Sequence, residues 1–142
     1  MRVRDAMSTD LQTLGRNDVL ALADDVMTQR RIRHLPVLDE EGALAGIVSQ
    51  RDLFRGALAQ ALGYGVVAQR KVLAGLVVKE VMTTDVVTIR PDAPLAAAAA
   101  LMLERRIGCL PVVEGGRLVG IVTEGDFVAL AARAADGARA RC

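Results

Sequence analysis

The sequence is poor in aromatic residues, with two Phe, one Tyr and no Trp among 142 residues. Its core must therefore be built from Val, Ile, Leu, Ala and Met. Single-stranded nucleic-acid binding by base stacking needs exposed rings, so the shortage argues against it. Two cysteines, Cys109 and Cys142, make no disulfide framework, and a reducing cytoplasm is the expected setting. One histidine and two separated cysteines offer no zinc site, so no metal is expected. The net charge of +1 is too small to draw in DNA or an anionic membrane. The longest apolar run, Leu95 to Leu103, is too short to span a bilayer and ends at Glu104-Arg105-Arg106. Met1-Arg2-Val3-Arg4-Asp5 leads into no apolar signal segment. Neither nucleic acid nor membrane is an expected partner.

What the chain does have is a duplication. Val3-Arg4-Asp5-Ala6-Met7 returns as Val78-Lys79-Glu80-Val81-Met82. Arg30-Arg31-Ile32-Arg33-His34-Leu35-Pro36-Val37 returns as Arg105-Arg106-Ile107-Gly108-Cys109-Leu110-Pro111-Val112. Gly46-Ile47-Val48-Ser49-Gln50-Arg51-Asp52 returns as Gly120-Ile121-Val122-Thr123-Glu124-Gly125-Asp126. Met7 to Met82 is a step of 75 residues, and Asp52 to Asp126 a step of 74 after one deletion in the Asp39–Gly42 turn. An ordered repeat of this kind decides the fold before any single residue does.

Each repeat reads as strand, helix, strand, strand, helix, which makes an α+β fold. Leu11–Leu14 and Val86–Ile89 have the composition of short strands. Asn17 or Asp18, and Asp92, are natural N-caps for helices near Val19–Arg30 and Leu95–Arg105. Pro94 suits the start of the second of these. Leu20, Ala23 and Met27 share one helix face, as do Leu95, Ala98 and Met102. Hairpins are expected at Asp39–Gly42 and Glu114–Arg117, between the strand pairs Leu35–Leu38 with Leu44–Val48 and Leu110–Val113 with Leu118–Val122. Second helices start near Gln50 and Glu124, with Leu53, Ala57, Phe127, Leu130 and Ala131 inward. The expected organisation is repeat one at 1–60, a linker at 61–77 with a Gly63-Tyr64-Gly65 break, repeat two at 78–135 and a flexible tail at 136–142. One repeat is small for a stable core, so the two should bury a common face as one pseudo-twofold module with a cleft between the halves.

The Gly-Ile-Val-(Ser/Thr)-x-x-Asp motif carries the most chemistry. Asp52 and Asp126 fall on the first turn of a helix, where a carboxylate can accept hydrogen bonds from a ribose diol. The helix N-terminus beside it offers N–H groups to a phosphate. The plainer alternative is a capping box made by Ser49 with Asp52 and by Thr123 with Asp126. Leu-Pro-Val implies an edge strand or a bulge, since proline lacks a donor. Arg31, Arg33 and His34 form a basic cluster suited to phosphate, or a solvated helix end that complements the macrodipole. Gly108 and Cys109 replace Arg33 and His34 in the second repeat. Thr13 and Thr88 occupy equivalent places, to meet a sugar or phosphate or simply to suit a strand. The four recurring methionines, Met7, Met27, Met82 and Met102, are most simply core filler. Gly63–Ala68 fits a loose dinucleotide fingerprint but follows a helix, and no P-loop or nucleophile elbow is present.

The ordered motifs, twice over, resemble the tandem CBS-domain module named after cystathionine β-synthase, across about Val3–Arg133. The resemblance implies β-α-β-β-α halves, a disc-shaped homodimer and up to two inter-repeat clefts for adenosine-containing ligands. It places Asp52 and Asp126 on ribose and Ser49 and Thr123 on ribose or phosphate. Thr13, Arg33 and His34 would join Asp126, while Thr88 and Cys109 would join Asp52. No cofactor is required. AMP, ADP or ATP is the expected ligand, with NAD or S-adenosylmethionine as alternatives. The expected role is regulatory rather than enzymatic, and it acts on an unidentified partner protein. The competing readings are a ligand-free dimerisation scaffold and an enzyme with nucleotide as substrate. The loss of charge at Gly108 and Cys109 makes the two sites unequal, with tighter binding expected at the site that uses Asp126.

Overall fold

A computed structural model describes residues 1–60 and 73–140. The Gly63-Tyr64-Gly65 break and most of the 61–77 linker lie outside the described residues, as does the side chain of Ala57. The chain divides into two compact units. One is Gln12–Val86, and the other joins Met1–Leu11 to Val87–Cys142. The compact unit is therefore not the sequence repeat taken end to end, because each unit holds the opening segment of the other repeat.

In the Gln12–Val86 unit the order is β1 (Leu14–Gly15), α2 (Leu20–Arg30), β2 (His34–Leu38), β3 (Leu44–Ser49) and α3 (Gln50–Gln60), then a 3-10 turn at Val78–Glu80. The sheet runs β1-β2-β3, with β1 parallel to β2 and β2 antiparallel to β3. In the second unit α1 (Val3–Ala6) joins α4 (Leu95–Arg105), β4 (Cys109–Glu114), β5 (Arg117–Thr123) and α5 (Glu124–Ala140). Here β4 and β5 pair antiparallel, and Ile89 makes a single parallel bridge to Val112. The observed fold is mixed α and β, as expected. The expected first strands are corrected, however. Leu11–Leu14 shrinks to a two-residue strand at Leu14–Gly15, and Val86–Ile89 to one bridge. Strand composition alone does not supply a partner along its length.

Leu, Ala and Met favour helix and set an apolar face along α2 and α4. Leu20, Ala23 and Met27 are buried on α2, and Leu95, Ala98 and Met102 on α4. Arg31 and Arg106 end these helices in the left-handed region at φ 55° and 54°. Their N–H groups satisfy the carbonyls of Met27 and Met102. The expected side-chain N-caps are absent. The cap positions are Val19 and Pro94, which make no side-chain cap bond. Asp18 instead accepts the Gly15 N–H at 2.7 Å, and Asp92 accepts from Arg90 at 3.2 Å. The first N–H of α2 donates to the Leu76 carbonyl at 2.8 Å, and that of α4 to the Met1 carbonyl at 3.0 Å. The exchanged segments thus satisfy these helix starts with their own backbone.

Those segments also explain the repeated Met and Gly. Val3 and Val78, one repeat apart, are both fully buried. Ser8 pairs with Ile121, and Thr83 with Ile47, each by reciprocal backbone bonds of 2.9–3.0 Å. A Cβ on Gly120 would meet Met7 Sδ at 2.6 Å, and one on Gly46 would meet the Thr83 carbonyl at 2.7 Å. Glycine is needed where this segment crosses the strand.

Pro36 and Pro111 are buried and sit opposite Ile47 and Ile121. The backbone groups of both isoleucines point away, to Thr83 and Ser8. Each proline therefore sits in a pair that exchanges no ladder bond, so its missing N–H costs nothing there. The expectation of an edge strand is corrected, since β2 is central in its sheet. The bulge is present at the next step, Val37/Leu38 and Val112/Val113. Both hairpins form as expected, with Gly42, Gly115 and Gly116 at positive φ. Leu53 is buried and Phe127 and Leu130 half-buried, but Ala131 is exposed rather than inward. Helix α5 continues to Ala140, past the Ala135 boundary expected from sequence.

Candidate functional site

Both Ser/Thr-x-x-Asp motifs stand where a strand becomes a helix. In the Gln12–Val86 unit, Ser49 closes β3 and Asp52 lies on the first turn of α3. The Ser49 N–H donates to Asp52 Oδ2 at 2.8 Å, and the Asp52 N–H donates to Ser49 Oγ at 3.1 Å. This is a reciprocal capping box. In the other unit the Thr123 N–H donates to Asp126 Oδ2 at 2.8 Å, and the Thr123 hydroxyl donates to the same oxygen at 3.4 Å. All four residues are half-buried. In both motifs the local bonds engage one carboxylate oxygen, so capping and a second partner are compatible.

The register decides what lies beside each motif. His34 faces Ser49 across β2 and β3, and the Gln50 N–H donates to the Arg33 carbonyl at 2.8 Å. Arg33, His34, Ser49 and Asp52 therefore share one end of their unit. Cys109 faces Thr123, and the Glu124 N–H donates to the Gly108 carbonyl at 3.1 Å. Cys109, Thr123 and Asp126 share the corresponding end of the second unit. Arg33 is exposed and His34 half-buried. Cys109 is 7% exposed, and burial pushes its thiol up to about 12. The second end thus holds a neutral thiol where the first holds an imidazole.

Thr13 and Thr88 are exposed and stand one residue before the parallel pairings at Leu14 and Ile89. An open groove of about 850 Å³ borders Thr88 on the side of α4 and the Gly115-Gly116 turn. Thr123 and Asp126 do not line it. No group of three or more His, Cys, Asp or Glu among the described residues is arranged to hold a metal ion. No helix among them is long and apolar enough to cross a membrane. Sequence reasoning did not single out Arg30 and Arg55, which stand exposed near the Ser49–Asp52 motif. Unequal charge at equivalent positions was the signal available for Arg55, which corresponds to Ala129, whereas Arg30 corresponds to Arg105 and carries no such signal.

Comparison with known proteins gives this geometry a family. The model of the CBS domain matches residues 3–59 and 78–133. The chain is 35% identical over 125 residues to the CBS domain-containing protein YhcV of Bacillus subtilis, which covers 88% of this chain and 81% of that protein. It resembles the solved structure of the AcuB protein from Vibrio cholerae with a TM-score of 0.81 at 38% identity, over 96% of this chain and 93% of that one. The CBS domain pair of protein MJ0100, in complex with 5′-methylthioadenosine and S-adenosyl-L-methionine, gives 0.77 at 32% identity, over 92% and 94%. CBSX2 in complex with AMP gives 0.76 at 29%, over 93% and 96%. Larger enzymes also carry a similar stretch. Homoserine O-acetyltransferase of Methanococcoides burtonii is 34% identical over 126 residues, which is 88% of this chain and 23% of the enzyme. Inosine-5′-monophosphate dehydrogenase of Mycobacterium tuberculosis is 38% identical over 125 residues, which is 86% of this chain and 21% of the enzyme. The similarity to these enzymes thus spans less than a quarter of their length. With both repeats matched and the fold shared over nearly the whole chain, the protein belongs to the CBS-domain family as a tandem pair.

Proposed function

We propose that the chain is a regulatory module that binds an adenosine-containing ligand and controls a partner protein. The observation that carries this reading is the chemistry common to the ligands of its solved neighbours. 5′-Methylthioadenosine, S-adenosyl-L-methionine and AMP all contain adenosine. This chain offers such a ligand two half-buried carboxylates at helix starts, Asp52 and Asp126. Each suits a ribose diol, with Ser49 or Thr123 beside it. The neighbouring Arg33 and His34 suit phosphate. Thr13, Thr88 and Cys109 complete the proposed ligand-binding set. The proposed ligand is AMP, ADP or ATP, with NAD or S-adenosylmethionine as the alternative. The module acts in the cytoplasm as a homodimer. Phe54 and Val128, one repeat apart on α3 and α5, are 63% and 67% exposed and suit such an interface. Its role is regulation rather than catalysis, since relatives that are enzymes share only a small part of their length with it.

Calorimetry with AMP, ATP, NAD and S-adenosylmethionine tests the reading on the wild type, Asp52→Ala and Asp126→Ala. Saturable binding that weakens by about tenfold in at least one variant is expected, the loss of one to two charge-assisted hydrogen bonds. The capping bonds of both motifs favour one second reading, a ligand-free dimerisation scaffold. A melting screen separates the two, because a ligand at about 100 times its dissociation constant adds roughly 2.7 kcal/mol. No binding heat and no thermal shift with any of these compounds would leave the scaffold.

A further inference from the structure

The corresponding ends of the two units differ in charge. In the Gln12–Val86 unit, Arg30 closes α2, Arg31 caps it and Arg33 leads into β2. Arg51 and Arg55 lie one turn apart on α3. All five are exposed. Helices α2 and α3 pack together, and the bond from the Gln50 N–H to the Arg33 carbonyl ties the short link between α2 and β2 to the start of α3. The five arginines therefore gather at the end that carries Ser49 and Asp52. The ion pairs among the described residues are Arg16–Glu40 and Arg90–Asp92, and neither engages this cluster. At the same positions the second unit has Arg105, Arg106, Gly108, Gly125 and Ala129.

We infer that the arginine end selects its ligand by phosphate count, with preference for a nucleoside triphosphate over a monophosphate. The corresponding end of the second unit does not discriminate. The inference rests on the adenosine reading above and adds as specificity residues Arg51, at a variable position of the recurring motif, and Arg55, which lies beyond it. A guanidinium fork matches phosphate oxygens in pairs, and each added phosphate brings further negative charge into this field. The cluster is exposed, so the preference is screened by salt.

The test is calorimetry at low salt with AMP, ATP and inorganic tripolyphosphate. It compares the wild type with the double variant Arg51→Ala/Arg55→Ala, with circular dichroism confirming that both are folded. ATP should bind the wild type about tenfold more tightly than AMP, and the ratio should fall to about twofold in the double variant because ATP affinity falls more than AMP affinity. Tripolyphosphate should compete with ATP. Equal affinities for ATP and AMP in the wild type, or a double variant that weakens both alike, would overturn the inference and leave the adenosine reading intact. If no adenosine compound binds, the adenosine reading fails. Tripolyphosphate binding lost in the double variant would then still support the arginine end as a polyphosphate site, and its absence would overturn that too. The reverse change, Gly125→Arg with Ala129→Arg, should give the second end an ATP preference. A Cβ at Gly125 meets nothing closer than Thr123 Oγ1 at 3.6 Å, so the substitution fits.

Discussion

The Gln12–Val86 unit and the unit of Met1–Leu11 with Val87–Cys142 use the same parts for the same packing task. Val78 and Val3, Leu35 and Leu110, Val48 and Val122 are all fully buried at equivalent places. The units part company at the ends of their strands. One end presents His34 and a group of arginines, while the other presents a buried neutral thiol beside glycines. Positions that face the core are held alike by close packing, whereas positions at the strand-to-helix turns are free to diverge. The scaffold therefore explains the duplication, and the differences set the two strand-to-helix ends apart in charge.

The sharpest way to break the equivalence is at the strand glycines. A Cβ at Gly46 would press on the Thr83 backbone carbonyl at 2.7 Å as well as on Met82 Sδ at 2.8 Å. At Gly120 the closest atom is Met7 Sδ at 2.6 Å, and the Ser8 carbonyl is farther away at 3.1 Å. A methionine side chain can turn aside, but a backbone carbonyl bonded to its neighbour cannot. Gly46→Ala is expected to cost about 3 kcal/mol and Gly120→Ala about 1 kcal/mol in denaturant unfolding. Equal losses would show that the exchanged segments do not hold the strands as described.

The second contrast is chemical. Burial raises the Cys109 thiol to about 12, while an unfolded thiol ionises near 8.5. Between these values the unfolded chain loses a proton that the native chain keeps. The contribution of this thiol to stability is therefore intact below about pH 8.5 and falls by about 1.4 kcal/mol per pH unit as pH rises toward 12. Cys109→Val should flatten this part of the pH profile in urea titrations. An unchanged slope would mean that other groups govern alkaline unfolding.

Much of this was legible in the sequence because it rests on local chemistry. The Asp39–Gly42 and Glu114–Arg117 hairpins follow from their turn residues, and helices α2 and α4 from their apolar spacing. What was not legible depends on partners distant in the chain. The caps at Asp18 and Asp92 fail because Leu76 and Met1 supply carbonyls that no local pattern announces. The strands at Leu11–Leu14 and Val86–Ile89 shrink because their neighbours pair with only one or two residues. A trace of the exchange was present all the same. Met7 recurs with Met82 and Gly46 with Gly120, yet each methionine packs against the glycine of the other repeat. Of the candidate site, the motifs at Ser49–Asp52 and Thr123–Asp126 were legible as local turns. Of the arginine end, Arg31 and Arg33 were legible as a local basic cluster, whereas Arg51 and Arg55 were not, because they join it from a second helix.

The smallest contrast lies within those motifs. The Ser49 hydroxyl accepts the Asp52 N–H at 3.1 Å and so satisfies a helix donor that would otherwise face the solvent unpaired. The Thr123 hydroxyl instead donates to Asp126 Oδ2 at 3.4 Å, a long bond to an oxygen already held by the Thr123 N–H. Ser49→Ala should therefore cost about 1 kcal/mol, the usual loss of a helix cap. Thr123→Val, which keeps the side-chain shape, should cost only a few tenths of that amount in the same denaturant assay. The second hydroxyl contributes little to folding, so a conserved effect of Thr123→Val on nucleotide affinity would assign it to the ligand rather than to the helix. If Thr123→Val destabilises as much as Ser49→Ala, both motifs act as caps and the contrast between them disappears.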